Sequence, residues 1–236
     1  MSLTDRLLGP ILRADAAAPL ITYYDDADGT RVELSAATIA NWAAKTANWL
    51  RDECDVEPGT RVHVDLPAHW QTAGALLGAW WAGAHVIDEP DGAPVSLVAP
   101  DRAGSAPAVV NAVLGLDPLG RGIPDPPPGH VDFASEVRVH GDFFTPYEPV
   151  PGNTPALLGA TVDELAERAA GCARAHGWAA GIRVLSTAPW TLPDGITDTF
   201  LAVLAAPGSL VHVANPDPAK LESRAIAERT SAVLMQ

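Results

Sequence analysis

The sequence predicts an α/β protein whose sheets are mostly parallel and flanked by helices. Three observations carry that expectation. Between 61 and 99 the apolar period switches from two to about 3.6 and back, which reads as strand, helix, strand, strand. A helix between strands so close in sequence joins a parallel pair through a right-handed crossover. The same rhythm resumes at 161 and runs to the end. Composition agrees: 236 residues, 47% hydrophobic and 19% charged, describe a globular chain long enough to bury a core. It reads as one α/β domain, 1–236, divisible into halves 1–114 and 158–236 that a proline-rich connection, 115–157, joins.

The elements follow in order. The run 2–13 is an amphipathic helix with Leu3, Leu7, Leu8, Ile11 and Leu12 on its apolar side. Two extended runs, 20–24 and 30–33, flank an Asp- and Gly-rich turn and form a hairpin. Ser35 caps a long helix reaching about Cys54, in which Ile39, Trp42, Ala43, Thr46, Trp49 and Leu50 recur at three- and four-residue steps. Next come a strand at 61–66, a helix at 69–83 and strands at 85–88 and 95–99. In 115–157 the prolines of "PDPPPG" and "TPYEPVPGNTP" exclude long regular structure, and a short helix at 131–139 is the one element expected there. Thr161 and Glu164 make a capping box for a helix at 161–176, with Val162, Leu165, Ala166, Ala169 and Cys172 inward. Strands at 183–187, 209–213 and 232–235 alternate with helices at 194–205 and 218–229. Asp217 and Pro218 suit the cap and first position of the last helix.

The charge balance narrows the function. Twenty-nine acidic residues oppose 15 basic ones, a formal net charge of −14. Such a surface repels phosphate backbones and anionic lipid, which argues against nucleic-acid and membrane-surface binding. No apolar run is long enough to cross a bilayer, and Asp5, Arg6 and Arg13 break the N-terminal pattern that an export signal would need. Cys54 and Cys172 are then expected as reduced, packed thiols of a cytoplasmic protein. A small-molecule ligand, a protein partner or a homo-oligomer remains compatible with this surface.

Self-sufficient motifs for nucleotide, hydrolytic or zinc chemistry are absent from the sequence. The seven histidines do not fall at metal spacing, and no metal site or catalytic set is expected. His63, His85 and His212 lie in or at the start of strands, where hydrogen-bonded core or rim positions are usual. Asp88, Glu89 and Asp91 crowd a strand end, the side of an α/β sheet where ligands bind. They read either as a solvated turn or as carboxylates that orient a ligand hydroxyl or cation. Trp190, just past another strand end, is the tryptophan best placed to line a pocket, with Asp194 nearby. A loop feeding a helix, "EPVPGNTPALLGAT", raises a further question, because glycine- and threonine-bearing loops before helices hold phosphates.

Several segments taken together resemble the N-terminal part of the adenylate-forming superfamily, which includes acyl-CoA synthetases, luciferases and peptide-synthetase adenylation domains. "LITYYDDADGTRVELSAATIANWAAKTANWLRDECDVEPGTRVHVDLP" is similar to that family's opening. "GALLGAWWAGAHVIDEPD" resembles its next block, and "RVLSTAPWTLPDGITDTFLAVLAAPGSLVHV" a later one; 90–147 is poorly matched. The resemblance implies an enzyme that joins a carboxylate to ATP as an acyl-adenylate. It also implies a phosphate loop of the type "SGTTG-PKG", and Gly152, Asn153, Thr154 and Pro155 stand at that place, with Thr161 at the helix start. Here the pattern fails. Pro149, Pro151 and Pro155 have no N–H to donate, and the only lysines, Lys45 and Lys220, lie elsewhere. The family's Mg-binding carboxylate and lysine-bearing C-terminal domain would lie beyond the matched stretch. The expectation is therefore a truncated relative with a degenerate phosphate loop, without cofactor, retained as a binding or interaction module. The alternatives are a residual or split ligase, which alone would need ATP-Mg, and a structural α/β protein that oligomerises.

Overall fold

The computed structural model describes residues 1–104 and 108–235. The helices are α1 (Leu3–Asp15), α2 (Ala36–Glu53), α3 (Trp70–Ala82), α4 (Phe133–Arg138), α5 (Val162–Ala175), α6 (Asp194–Ile196), α7 (Ala202–Ala205) and α8 (Pro218–Ala227). The strands are β1 (Pro19–Asp25), β2 (Thr30–Ser35), β3 (Arg61–Asp65), β4 (His85–Ile87), β5 (Val95–Val98), β6 (Val110–Val113), β7 (Val131–Asp132), β8 (Pro155–Leu157), β9 (Ala160–Thr161), β10 (Arg183–Ser186), β11 (Ser209–Ala214) and β12 (Ala232–Leu234). Every element expected from the sequence is present within a residue or two of its bounds. The α/β class with mostly parallel sheets and flanking helices is what forms.

The chain divides into two compact units. One comprises Met1–Asp5 and Ala40–Leu165; the other comprises Arg6–Ile39 and the chain from Ala166 onward. The stretch 115–157 belongs wholly to the first.

The sheet of the first unit runs β7-β6-β5-β3-β4-β8-β9, parallel except for the last pair. Its central strands are buried on both faces, as in a covered parallel sheet. Nearly every side chain of α3 is buried, including Trp70, Leu76, Leu77 and Trp80. This helix starts on His69, whose side chain accepts from the Gln71 N–H, and stops at Gly83, whose φ of 86° only glycine takes freely. Against α2 it packs through glycines. A Cβ at Gly78 would lie 2.5 Å from the Thr46 Cβ and 2.7 Å from the Ala43 carbonyl oxygen. Gly-to-Ala in a helix interior ordinarily stabilises by up to about 1 kcal/mol. Here the sign reverses: Gly78→Ala is expected to cost about 1–3 kcal/mol in urea unfolding, because two backbones must separate. An unchanged or raised midpoint would show that the helices are not in contact there.

Four strands depart from the sequence reading. β6 was not expected, because Asn111 interrupts its apolar run. That side chain is buried with both ends satisfied, accepting from the Ala108 N–H at 3.1 Å and donating to the Ala108 carbonyl at 2.8 Å. The two residues of β7 open what reads as helix; α4 begins only at Phe133, with the Asp132 carboxylate capping the Ser135 N–H at 2.9 Å. β8 and β9 form despite the prolines. Pro155 is the first residue of its strand, where a missing N–H costs least.

The sheet of the second unit runs β12-β10-β11-β1-β2, parallel except for the hairpin β1–β2. Leu185, Val211 and Val213 form a core under Leu221 and Ala225 of α8. The helix expected at 194–205 is continuous but carries a π-turn, Thr197–Leu201, between α6 and α7. The Thr197 and Thr199 hydroxyls donate to the Pro193 and Gly195 carbonyls, competing with the regular helical pattern. Both cysteines are free thiols, as the sequence suggested.

Candidate functional site

The loop before α5 is held by its own bonds. The Thr154 N–H donates to the Pro151 carbonyl at 3.2 Å, and the Asp163 N–H to the Gly152 carbonyl at 2.8 Å. The Thr154 carbonyl accepts from Val162 at 2.9 Å, and the Ala156 carbonyl from the Trp80 indole at 2.9 Å. The N-terminal ammonium of Met1 reaches the Val150 carbonyl at 2.8 Å. Gly152 lies under the Asp163 carboxylate: a Cβ there would meet both carboxylate oxygens at 2.3 Å. Asn153 is exposed. Thr161 is taken up by the capping box, its N–H and hydroxyl both donating to Glu164 at 2.9 Å. Those bonds hold the Glu164 carboxyl below its ordinary range. Neither lysine is available to the loop through a free ammonium. Lys45 donates to the His140 carbonyl at 2.5 Å and pairs with Asp142, whereas Lys220 pairs with Asp26 and Asp217.

A second place lies at the carboxyl ends of β3, β4 and β5 in the first unit. There a cleft of 410 Å³ is lined by His63, Asp65, Asp88, Glu89, Ser96 and Arg102, among others. The parallel register sets His63 beside Ser96, so both side chains project from the same face. Nδ1 of His63 lies 2.7 Å from the Ser96 Oγ, and both residues are buried. Burial lowers the His63 pKa, although Asp65, Asp88 and Glu89 pull the other way. Asp65 is ion-paired with Arg102. Asp88 and Glu89 are exposed at the rim, and Asp91 sits on the following turn. His85 plays a structural part, accepting from the Gly159 N–H at 2.9 Å. Among the described residues no group of three or more His, Cys, Asp or Glu is arranged to hold a metal.

Trp190 and Asp194 belong to the second unit. Trp190 is 5% exposed and stacks on Phe200 with centroids 4.8 Å apart; His212 lies 5.8 Å from it. The Trp190 Nε1 and the His212 Nδ1 are buried without hydrogen-bond partners. Asp194 stands at the solvent-facing start of α6 and pairs with Arg168. These two neighbours in sequence thus do different things: one packs in the core, the other holds a surface ion pair.

The sequence reading missed the His63–Ser96 pair. Its only signal was a polar residue at the middle, buried position of "RVHVD" and another within the apolar run "VSLV". Pairing them required knowing that β3 and β5 are neighbours in that register.

A protein of Mycobacterium tuberculosis (strain ATCC 25618 / H37Rv) described as a TIGR03089 family protein is 51% identical over 241 residues, covering 99% of this chain and 98% of its own. No protein-family model matches the chain. Among solved structures, an acyl-CoA synthetase of Brucella canis superposes with a TM-score of 0.76 at 15% identity, over 100% of this chain and 47% of its own. A benzoate CoA ligase from Burkholderia xenovorans LB400 superposes with a TM-score of 0.72 at 17% identity, over 99% of this chain and 50% of its own. The chain therefore spans about half the length of these ligases. No helix of the described residues is long and apolar enough to cross a membrane.

Proposed function

The chain belongs to the TIGR03089 family and has the fold of the N-terminal part of adenylate-forming ligases, and from that premise we propose that it is a binding or interaction module that does not form acyl-adenylates. The observation that carries this reading is the Asp163 carboxylate packed on Gly152. A phosphate loop works by turning several free N–H groups inward around an anion, usually with a cation beside them. Here the Thr154 N–H is spent on Pro151, and three prolines have no N–H to offer. Both lysines are committed to other carboxylates, and the Asp163 side chain fills the space over Gly152.

Adding ATP with Mg²⁺ is expected to leave the melting temperature unchanged, since a ligand that binds the native state raises it by mass action. Pyrophosphate exchange with a panel of carboxylic acids, benzoate and straight-chain acids among them, is expected to stay at background. A clear exchange signal would replace this reading with that of a residual or split ligase, for which ATP-Mg would be the cofactor. Asp163→Asn should not by itself create ATP binding, because the prolines remain.

A further inference from the structure

The His63–Ser96 pair is joined by one short bond, 2.7 Å between Nδ1 and Oγ. In the tautomer that carries its proton on Nε2, the His63 Nδ1 accepts from the Ser96 hydroxyl. A hydroxyl whose hydrogen points at a neutral imidazole is the core of an activated nucleophile. Ser96 is nearly closed off by its neighbours yet lines the cleft, so whatever reaches it must be small. Arg102 lines the same cleft and has guanidinium N–H groups beyond those facing Asp65.

We propose that Ser96 and His63 form a nucleophile–base pair that takes an acyl group from small neutral esters in this cleft, a chemistry independent of ATP. In the forward step the Ser96 Oγ bonds to the ester carbonyl carbon while its proton passes to the His63 Nδ1. Collapse of the tetrahedral adduct breaks the bond to the alkoxy or aryloxy group, which leaves with that proton. Water then attacks the acyl-serine by the same relay, releasing the carboxylic acid and restoring the hydroxyl. Arg102 is the group placed to meet the developing oxyanion. Asp88 and Glu89 at the rim select against anionic acyl donors.

The test uses the full chain with p-nitrophenyl acetate and no nucleotide, so its outcome is separate from that of the exchange assay. The wild-type protein should release a burst of p-nitrophenolate and carry one acetyl group, which peptide mapping places on Ser96. Ser96→Ala should abolish the burst, and His63→Gln should slow it by about 100-fold or more. The acylation rate should rise with pH to a plateau whose midpoint lies below the ordinary imidazole value. The mono-p-nitrophenyl ester of succinate should react about tenfold more slowly than the acetate. Absence of acetyl on Ser96 in the wild-type protein overturns the proposal whether or not the variants fold. So does a rate that His63→Gln leaves unchanged.

Discussion

Lowering the pH from 7 to about 4.5 is expected to destabilise the second unit through one residue, His212, and His212→Leu should remove that sensitivity. His212 lies in the middle of β11, is 4% exposed, and is flanked by Tyr23 at 6.1 Å and Trp190 at 5.8 Å between ring centroids. Its environment supplies no counter-charge, and desolvation pushes its pKa down to about 4. The folded value is thus below the ordinary imidazole value, so the unfolded chain binds the proton more tightly. Stability is complete above the ordinary value near 6.5 and is lost as pH falls from there through about 4. Integrated over that window, the loss is about 3 kcal/mol. Urea midpoints measured at several pH values should diverge between wild type and His212→Leu, the variant being flat where the wild type slopes. At neutral pH the variant should be at least as stable, because the Nδ1 that finds no partner disappears with the ring. Parallel pH profiles for the two proteins would show that His212 is not the acid-sensitive group.

Much of the fold was legible because local signals agreed with one another. The "STAPW" and "AAPG" turns separate strands of the right length, the Thr161–Glu164 box announces α5, and Ser35 announces α2, where it accepts from the Thr38 N–H at 3.2 Å. The missed strands share one cause: each gains its stability from a partner strand rather than from its own pattern. β8 exists because Leu157 pairs with Val86, and β6 because it lies along β5. Neither fact is local. The site was less legible for the same reason. Prolines at 149, 151 and 155 could be counted in the sequence, but the Asp163 carboxylate folding back on Gly152 is a matter of packing. His63 and Ser96 are 33 residues apart, and only the strand order makes them neighbours.

Glu228→Gln is expected to cost about 3 kcal/mol, a large effect for one isosteric change. Glu228 ends α8 and is the hub of a polar cluster in the second unit. Its carboxylate accepts from the Tyr24 hydroxyl at 2.6 Å, from the Arg31 Nε at 3.0 Å and from the Arg183 Nη2 at 2.8 Å. Its main-chain carbonyl takes the Arg183 Nε at 2.8 Å, so the first strand of the hairpin, the start of β10 and the end of α8 meet at one residue. Burial alone would raise its pKa, yet Tyr24, Arg183 and Arg31 together hold it below the ordinary carboxylate range. The two guanidinium groups are not equal losers. Arg31 is 46% exposed and regains water, so its share is small. Arg183 is only 17% exposed and would keep one weaker ion-pair partner, Glu33 at 3.5 Å, beside neutral acceptors on Thr22, Ser209 and the Glu228 carbonyl. That places the cost on Arg183 and makes it separable. If the penalty is an uncompensated buried charge, Arg183→Met should restore part of the stability lost in Glu228→Gln, and a double-mutant cycle in urea should give a coupling of about 1–2 kcal/mol. A Glu228→Gln midpoint indistinguishable from wild type would mean that the cluster is solvated. The same cluster loses its stabilisation only as pH falls below the ordinary carboxylate value, whereas His212 acts above it, so the two contributions to acid unfolding separate along the pH axis.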